Sequence, residues 1–366
     1  MPREPTGPTK GQRRKGRTKA QRRPYNLLVT QTLIHHEKLA AFTAACLEKL
    51  GLVAADARLV AETLVAANLR GVDSHGVVRL PHYAARLRNG TVKARPNITA
   101  RRTGPSAAVV EGDAAMGQLV ATRAMREAIS LAKETGVGAV SARNSSHCGA
   151  CAWFVQMAVE EGMIGVALTH TDSIMVPPGM KRIFLGSNPI AFGAPGGREP
   201  VIIDLSTTHV AWGKILVARQ EGKPIPPDWG VDAEGKPTTD PQRVVGLAPT
   251  GAHKGYALAM MVEILCAQLA GVPFGRHVTK MYGELERPRN LGHFMLALDV
   301  VRFTDPKIFT SSIESFVQEI HAEQALAPGD PERLSAERRR REGIDVGEGT
   351  LAELSALAEE LGVPKL

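Results

Sequence analysis

A hydroxyl, an imidazole and a guanidinium lie close together in residues 73–79, whose sequence is DSHGVVR. The guanidinium of Arg79 could hold a carboxylate through two parallel hydrogen bonds, which a lysine cannot do with the same geometry. The imidazole of His75 could donate or accept a proton near neutral pH, and the Ser74 hydroxyl is its neighbour. The segment therefore predicts a site for a small organic acid, with a helix cap and solvated charges as the alternative.

A second histidine, His147, lies between a predicted strand and the predicted helix that contains Trp153 and Phe154. Open α/β sheets bind ligands beyond the carboxyl ends of their strands. A general base for alcohol oxidation must reach the hydroxyl and have a pKa near the working pH, which suits histidine. His147 is therefore a candidate base, and a buried histidine with only a structural role is the alternative.

Hydroxyl-rich turns at residues 186–189 and 204–208 could hold a ribose or a pyrophosphate through backbone N–H groups. Lys254 begins the predicted helix Gly255–Leu269, where a cation and free N–H groups favour an anion such as a cofactor phosphate. An ordinary surface lysine is the alternative. No G-x-G-x-x-G sequence opens a helix after a strand, so a Rossmann phosphate loop is not predicted.

Cys148 and Cys151 form a C-x-x-C pair, but the sequence offers no second pair of cysteines or histidines at zinc-ligand spacing. We therefore expect no metal site and interpret the two cysteines as structurally incidental.

The elements that must position these side chains begin with two predicted helices, His36–Leu50 and Ala54–Arg70, which Gly51 and Gly71 end. A third helix, capped by Asp73 or Ser74, would align polar side chains along one face. These side chains are His75, Arg79, Tyr83 (or His82) and Arg86.

From about residue 107 to 303, short strand-like runs alternate with helix-like stretches, which predicts an α/β architecture. The predicted strands are Val137–Ala142, Met163–Thr169 and Val201–Leu205, and Gly255–Leu269 is the longest predicted helix of this region. The sequence is again helical from Lys307. Its final leucines share one helix face, which we expect to pack on the first helices: Leu351, Leu354, Leu357 and Leu361.

Charge is distributed very unevenly along the 366 residues. Residues 1–23 hold nine of the 45 basic residues and one of the 37 acidic residues, so the remaining 36 and 36 balance. The first 24 residues have almost no apolar content, which predicts a disordered basic extension. The extension could act as a nucleic-acid arm, but the neutral remainder favours a solubilising role over nucleic-acid binding.

The sequence has no run of 18 uninterrupted apolar residues and no apolar segment after its basic start, so we expect neither a membrane span nor a secretory signal. Four cysteines are too few for a disulfide framework in a chain of this length. A cytoplasmic protein is predicted.

Taken in order, the motifs resemble those of the malate/L-lactate dehydrogenase family, a non-Rossmann group that also includes ureidoglycolate, sulfolactate and diketogulonate oxidoreductases. The resemblance runs from about residue 34 to 365 and rests on the order and spacing of the motifs. They are DSHGVVRL, SSHCGA, GSNPIAFGAPGG, IIDLSTT, the stretch Trp229–Asp232, PTTDP, HKGYALAMMVEIL, NLGHF and REGI.

The resemblance implies an NAD- or NADP-dependent homodimer that interconverts a small 2-hydroxy acid and its 2-oxo acid. Ureidoglycolate oxidation and cyclic imino acid reduction are the alternatives. It implies that His147 accepts the proton, that His75 donates it in some members, and that Arg79 and Tyr83 bind the substrate. The implied cofactor contacts are Thr171, Asp204, Leu205, Ser206, Lys254, Gly329 and Asp330.

The same resemblance implies a mixed α/β fold with a helical part formed by both chain ends. We expect residues 1–33 to be the basic extension, and residues 34–106 together with 304–366 to form the helical part that binds substrate and makes the dimer. Residues 107–303 would form the central α/β cofactor-binding domain.

Overall fold

The computed structural model describes residues 32–366, which form one compact unit. Residues 1–31 of the predicted basic extension lie outside the described residues, so their disorder and the nucleic-acid alternative stay predictions. Leu33, which we had placed in that extension, instead begins the first strand.

Strands and helices alternate along most of the described chain. The strands are β1 (Leu33–Ile34), β2 (Thr99–Gly104), β3 (Ala107–Glu111), β4 (Val137–Ser145), β5 (Met163–Thr169), β6 (Ile190–Ala194), β7 (Val201–Leu205), β8 (Gly230–Val231), β9 (Gly246–Leu247), β10 (Leu291–Asp299) and β11 (Ile344–Asp345). The α-helices are α1 (His36–Lys49), α2 (Ala54–Leu69), α3 (Leu80–Arg88), α4 (Gly117–Thr135), α5 (Ala152–Glu160), α6 (Trp212–Glu221), α7 (His253–Glu263), α8 (Pro306–Ala322), α9 (Asp330–Glu342) and α10 (Glu348–Leu361).

Seven strands form the central mixed sheet, in the order β2-β3-β4-β10-β5-β6-β7. Strands β3 and β4 are parallel, and every other neighbouring pair in this sheet is antiparallel. The predicted mixed α/β fold of non-Rossmann type is thereby confirmed. The sheet already begins at Thr99, inside the range 34–106 that we had assigned to the helical part, so the proposed domain boundary needs a shift toward the N-terminus there.

The strand directions bring three loops to one edge of this sheet. Strands β4 and β5 both pair antiparallel with β10, so they run in the same direction. Strand β7 is separated from β5 by the antiparallel strand β6 and also runs in that direction. The carboxyl ends of β4, β5 and β7 therefore meet at one edge, where open α/β sheets bind ligands.

The first and last helices share one apolar core beside the sheet. Leu39 of α1, Leu64 of α2 and Leu80 of α3 are buried in it together with Leu354 and Leu357 of α10. The predicted packing of the last leucines on the first helices is thus confirmed. Strand β1 also pairs with β11, next to this core.

Two helix predictions need correction. The longest helix of the central region is α4, with 19 residues, because the predicted helix Gly255–Leu269 leaves α geometry at Ile264 and continues as a π turn. The predicted third helix begins at Leu80, since two 3₁₀ turns, Asp73–His75 and Val77–Arg79, precede it and meet at the extended Gly76. None of the described helices is long and apolar enough to cross a membrane.

Candidate active site

A cleft of about 970 Å³ lies at the edge of the sheet where β4, β5 and β7 end. This volume falls at the upper end of the range for small-molecule and cofactor sites. His147 follows β4, Thr171 follows β5, and Asp204 lies at the end of β7. The 3₁₀ turns with His75 and Arg79 form the facing wall.

His147 is held from behind by a hydrogen-bonded row of side chains. Its Nδ1 lies 2.7 Å from the hydroxyl of Tyr83, which is buried on α3. The Tyr83 hydroxyl in turn lies 3.0 Å from the amide of Gln118, a fully buried residue of α4. With Nδ1 engaged, the other ring nitrogen of His147 is the one left for a ligand. Tyr83 therefore orients His147.

His75 stacks against His147, with ring centroids 5.5 Å apart and an angle of 27° between the planes. Its Nδ1 lies 3.0 Å from the hydroxyl of Ser74. The two histidines that the sequence singled out are therefore in contact, although 72 positions separate them. Ser74, His75 and His147 all line the cleft.

Burial keeps both histidines neutral at physiological pH. It holds the pKa of His147 well below its ordinary value, and the nearby Arg79 cation lowers it further. The same two causes, burial first, lower the pKa of His75 to about 4. A neutral imidazole is a proton acceptor, so the site is prepared to receive a proton.

Arg79 presents part of its guanidinium to the cleft. Its Nε donates to the carbonyl of Ser74 at 2.6 Å, and its Nη1 contacts the Tyr282 hydroxyl and lies 3.8 Å from the Met281 sulfur. No carboxylate of the described chain forms an ion pair with Arg79. Its charge is therefore available to an anionic ligand.

The turn that carries these residues is fixed by Asn68 of α2 and Arg339 of α9. The Asn68 amide donates to the carboxylate of Asp73 at 2.6 Å and accepts from the backbone N–H of Val77 at 2.9 Å. Arg339 donates to both oxygens of that carboxylate, at 2.7 and 3.0 Å. Side-chain hydrogen bonds of this kind compete with a regular helix, which explains why α3 begins only at Leu80.

Gly76 leaves no room for a side chain in this turn. A Cβ atom there would lie 2.2–2.4 Å from the amide atoms of Asn68, which cannot withdraw without losing its two hydrogen bonds. We expect Gly76→Ala to lower the free energy of unfolding by about 1–3 kcal/mol and to reduce kcat/KM. Thermal unfolding and initial rates would measure both.

Gly349→Ala is the matched control, because a Cβ atom at Gly349, in the first turn of α10, meets no atom within 4 Å. Equal stability and turnover in Gly76→Ala and in the control would show that the turn tolerates a side chain.

A loop over residues 278–290 closes the cleft on the side of Arg79. The sequence did not predict the hydrogen bonds that hold this loop in place. Arg86 is 1% exposed and donates to the carbonyls of Lys280, Met281 and Arg287 at 2.9–3.0 Å. Burial lowers the pKa of Arg86 to about 10, so it remains charged. Nearly 200 positions separate Arg86 from its acceptors, which left no local pattern to detect.

The buried Arg289 in the same loop pairs with Asp172, just after β5. Asp172 also accepts from the backbone N–H of Met281 at 3.3 Å. Both residues line the cleft and were likewise absent from the predicted site.

On the other side, the cleft offers groups that suit a dinucleotide. Five of the predicted cofactor contacts line it: Thr171, Asp204, Leu205, Ser206 and Gly329. The N-cap residue Ala211 and the first residues of α6, Trp212 and Gly213, also line it, and no side chain caps this helix. Free N–H groups at a helix N-terminus bind phosphate oxygens, so these residues fit a pyrophosphate.

Asp204 lines the cleft and is exposed to the solvent in it. The surrounding protein partly desolvates the carboxyl group, and this desolvation raises its pKa to about 6. One carboxylate oxygen accepts from the backbone N–H of Ala152 at 2.8 Å, at the start of α5. The other oxygen is available to a ribose hydroxyl.

Two predicted cofactor contacts do not line the cleft. Lys254 is exposed in the first turn of α7 and is not among the residues that line the cleft. Asp330 is buried beneath the loop that contains Gly329, and it binds His321 at 2.6 Å and the N–H of Ala327 at 2.8 Å. Asp330 therefore supports the cleft wall, and the predicted cofactor contact of Lys254 stays a prediction.

Cys148 and Cys151 line the cleft with their thiols buried and unpaired. Among the described residues, no group of three His, Cys, Asp or Glu side chains is placed to hold a metal ion.

Residues 34–355 match the sequence profile of malate/L-lactate dehydrogenases. The chain belongs to this family. The predicted oxidoreductase function on 2-hydroxy acids is confirmed at the level of the family, whose related members are dehydrogenases of such acids.

Individual family members cover most of the chain. The chain is 40% identical over 308 residues to an L-sulfolactate dehydrogenase of Methanothermobacter thermautotrophicus, and the alignment covers 83% of this chain and 90% of that protein. It is 38% identical over 304 residues to an NAD⁺-dependent ureidoglycolate dehydrogenase of Escherichia coli K12, spanning 81% and 87%. The sulfolactate dehydrogenase structure from Methanocaldococcus jannaschii superposes with a TM-score of 0.86 at 32% identity, spanning 91% and 98%.

Proposed function

We propose that this protein reversibly oxidises a small 2-hydroxy acid to its 2-oxo acid with NAD or NADP as hydride carrier. The observation that carries the proposal is the meeting of His147, His75 and Arg79 in one cleft with the pyrophosphate-type site at the start of α6. An acid–base group, an unpaired cation and a dinucleotide site are the three parts that this reaction needs.

The side chains divide the work by position. Arg79 fixes the substrate carboxylate, which orients the carbon that carries the hydroxyl. His147 accepts the hydroxyl proton on the ring nitrogen that faces the cleft, which requires Nδ1, 2.7 Å from the Tyr83 oxygen, to carry the other ring proton. The bound nicotinamide supplies the hydride chemistry. Ser74 and His75 close the site against His147, and His75 orients the substrate or the nicotinamide ring.

On the cofactor side, we propose that Thr171, Asp204, Leu205, Ser206 and Gly329 contact the dinucleotide. The free carboxylate oxygen of Asp204 suits a ribose hydroxyl, and the α6 N-terminus suits the pyrophosphate. Lys254 does not line the cleft, so we assign it no contact with the dinucleotide. We propose that Asp330 supports the loop that contains Gly329.

We propose a homodimer because α8 and its surroundings expose large apolar side chains. Val301, Phe303, Ile308 and Phe316 are each more than 60% exposed in the single chain. Such clusters mark protein interfaces more often than free surface.

A cytoplasmic location is proposed on the four unpaired cysteines, which suit a reducing compartment.

The proposed reaction is tested by incubating the protein with a panel of 2-oxo acids and cyclic imines, each with NADH and with NADPH. The panel includes oxaloacetate, sulfopyruvate and pyruvate. We expect oxidation of one of the two cofactors, followed at the nicotinamide absorbance, with at least one 2-oxo acid. Turnover with cyclic imines alone would identify an imino acid reductase, and no turnover at all would contradict the proposal.

A further inference from the structure

Tyr282 is a large aromatic residue that is 61% exposed, yet it is held at the mouth of the cleft. Its hydroxyl contacts Nη1 of Arg79, whose guanidinium carbon lies 5.9 Å from the centre of the ring. The ring also meets His82 edge-on, with centroids 5.0 Å apart. These two partners orient the exposed tyrosine toward the arginine. Tyr282 has no role in the proposed reaction as described above.

The loop that carries Tyr282 is fastened on both sides of it. Arg86 binds the carbonyls of Lys280, Met281 and Arg287, and Thr91 donates to the carbonyl of Leu285 at 3.1 Å. Next to Tyr282, Gly283 has a positive φ of 87°, and a Cβ atom there would meet no atom within 4 Å. The frame of the loop is therefore fixed by hydrogen bonds from Arg86 and Thr91, and its tip places the tyrosine hydroxyl against the Arg79 guanidinium.

We infer that Tyr282 is a substrate-binding residue whose hydroxyl completes the carboxylate site formed by Arg79. A tyrosine oxygen that accepts a hydrogen bond from Arg79 still has its own proton to donate. We place its acceptor beside the guanidinium, where Nη2 has no partner among the described residues. A carboxylate bound to Arg79 would put an oxygen there.

The anion site and the acid–base group share one cleft, because Arg79, Tyr282 and His147 all line it. An acid whose carboxylate is bound by Arg79 therefore lies in the cleft that contains the histidine. The inference rests on the proposed function for the identity of the acid, but the anion site itself can be measured without turnover.

The test compares the wild type with Tyr282→Phe, which removes the hydroxyl and keeps the ring. The probe is oxamate, an unreactive mimic of a 2-oxo acid, titrated by calorimetry with and without NADH. We expect Tyr282→Phe to raise the Kd of oxamate about tenfold, because a hydrogen bond to a charged group is lost. The KM of the 2-oxo acid should rise by a similar factor, while kcat and the Kd of NADH stay nearly unchanged.

Tyr256→Phe is the matched control, since Tyr256 packs on α7 against Met175 and Leu185 and does not line the cleft. The double variant of Arg79→Lys and Tyr282→Phe should weaken oxamate binding by less than the product of the single effects, because the two groups share one ligand. Additive effects would place the hydroxyl at another site and overturn the inference.

An unchanged or lower Kd of oxamate in Tyr282→Phe would also overturn it, and a lower value would mean that Tyr282 competes with the acid for Arg79. A wild type that binds oxamate but reduces no 2-oxo acid would contradict the proposed function, and the calorimetric comparison would still decide the role of Tyr282. If the wild type reduces a 2-oxo acid and Tyr282→Phe has the same Kd for oxamate as the wild type, only the role of Tyr282 is contradicted.

Discussion

His147→Ala is expected to lower kcat by roughly 10²–10⁴, the usual contribution of a positioned acid–base group, while the Kd of NADH stays nearly unchanged. The reason is geometric. His147 faces the cleft from the end of β4 and is held by Tyr83 through Nδ1. Single-turnover rates and fluorescence titration of NADH would separate the chemical step from cofactor binding.

The pH dependence gives a second measurement of the same role. Because burial holds the pKa of His147 well below 6.5, the neutral form, which accepts the proton, is already present at neutral pH. The kcat/KM for oxidation should therefore not fall as the pH is lowered through 6.5. Reduction needs the protonated form, so its kcat/KM should rise as the pH falls through this range.

His75→Ala is the control, because His75 stacks on His147 in the same cleft. Near-normal turnover in His147→Ala, together with loss of the pH dependence of kcat in His75→Ala, would assign proton transfer to His75. Comparable losses in both variants would indicate that the two rings flank one substrate.

Arg79→Lys is expected to raise the KM of the 2-oxo acid by about a hundredfold and to leave the Kd of NADH nearly unchanged. The Arg79 guanidinium donates to the Ser74 carbonyl through Nε and still has Nη groups for a carboxylate. A lysine ammonium has three N–H donors on one nitrogen but no planar fork, so it cannot hold a carboxylate through two parallel hydrogen bonds while also reaching the Ser74 carbonyl. Steady-state kinetics with varied 2-oxo acid would measure the change.

Arg88→Lys is the matched control, because Arg88 lies at the end of the helix that follows Arg79 and pairs with Glu360 away from the cleft. An unchanged KM in Arg79→Lys would mean that another cation holds the carboxylate. Arg289 would then be the first candidate, since it lines the same cleft next to Asp172.

The placement of His147 could be predicted because its signal is local: a β-rich run, a histidine and a helix follow one another in the sequence. The gathering of Ser74, His75 and Arg79 was also predictable, because these residues lie within one short segment. The predicted backbone there was wrong. Asn68 of α2 bonds to the segment from outside it, and no pattern within residues 73–79 reveals that contact.

Residues that act through long-range contacts could not be predicted in this way. Arg86 reaches carbonyls about 195 positions away, and backbone carbonyls carry no sequence signature. The proposed pyrophosphate site shows the same limit. Lys254 has the expected residue type but does not line the cleft, whereas the uncapped start of α6 lines it and has no sequence signature.

The core that joins α1–α3 to α10 also affects how the protein folds during synthesis. About 270 residues separate the end of α3 from the end of α10, and about 310 residues separate strand β1 from its partner β11. At ribosomal rates of 5–20 residues per second, roughly 14–55 s pass before the last helix can cover the first three. Over that interval Leu39, Leu64 and Leu80 lack their final partners. The nascent chain thus has a high contact order at its N-terminus, which makes it a natural client for chaperones that shield apolar helices.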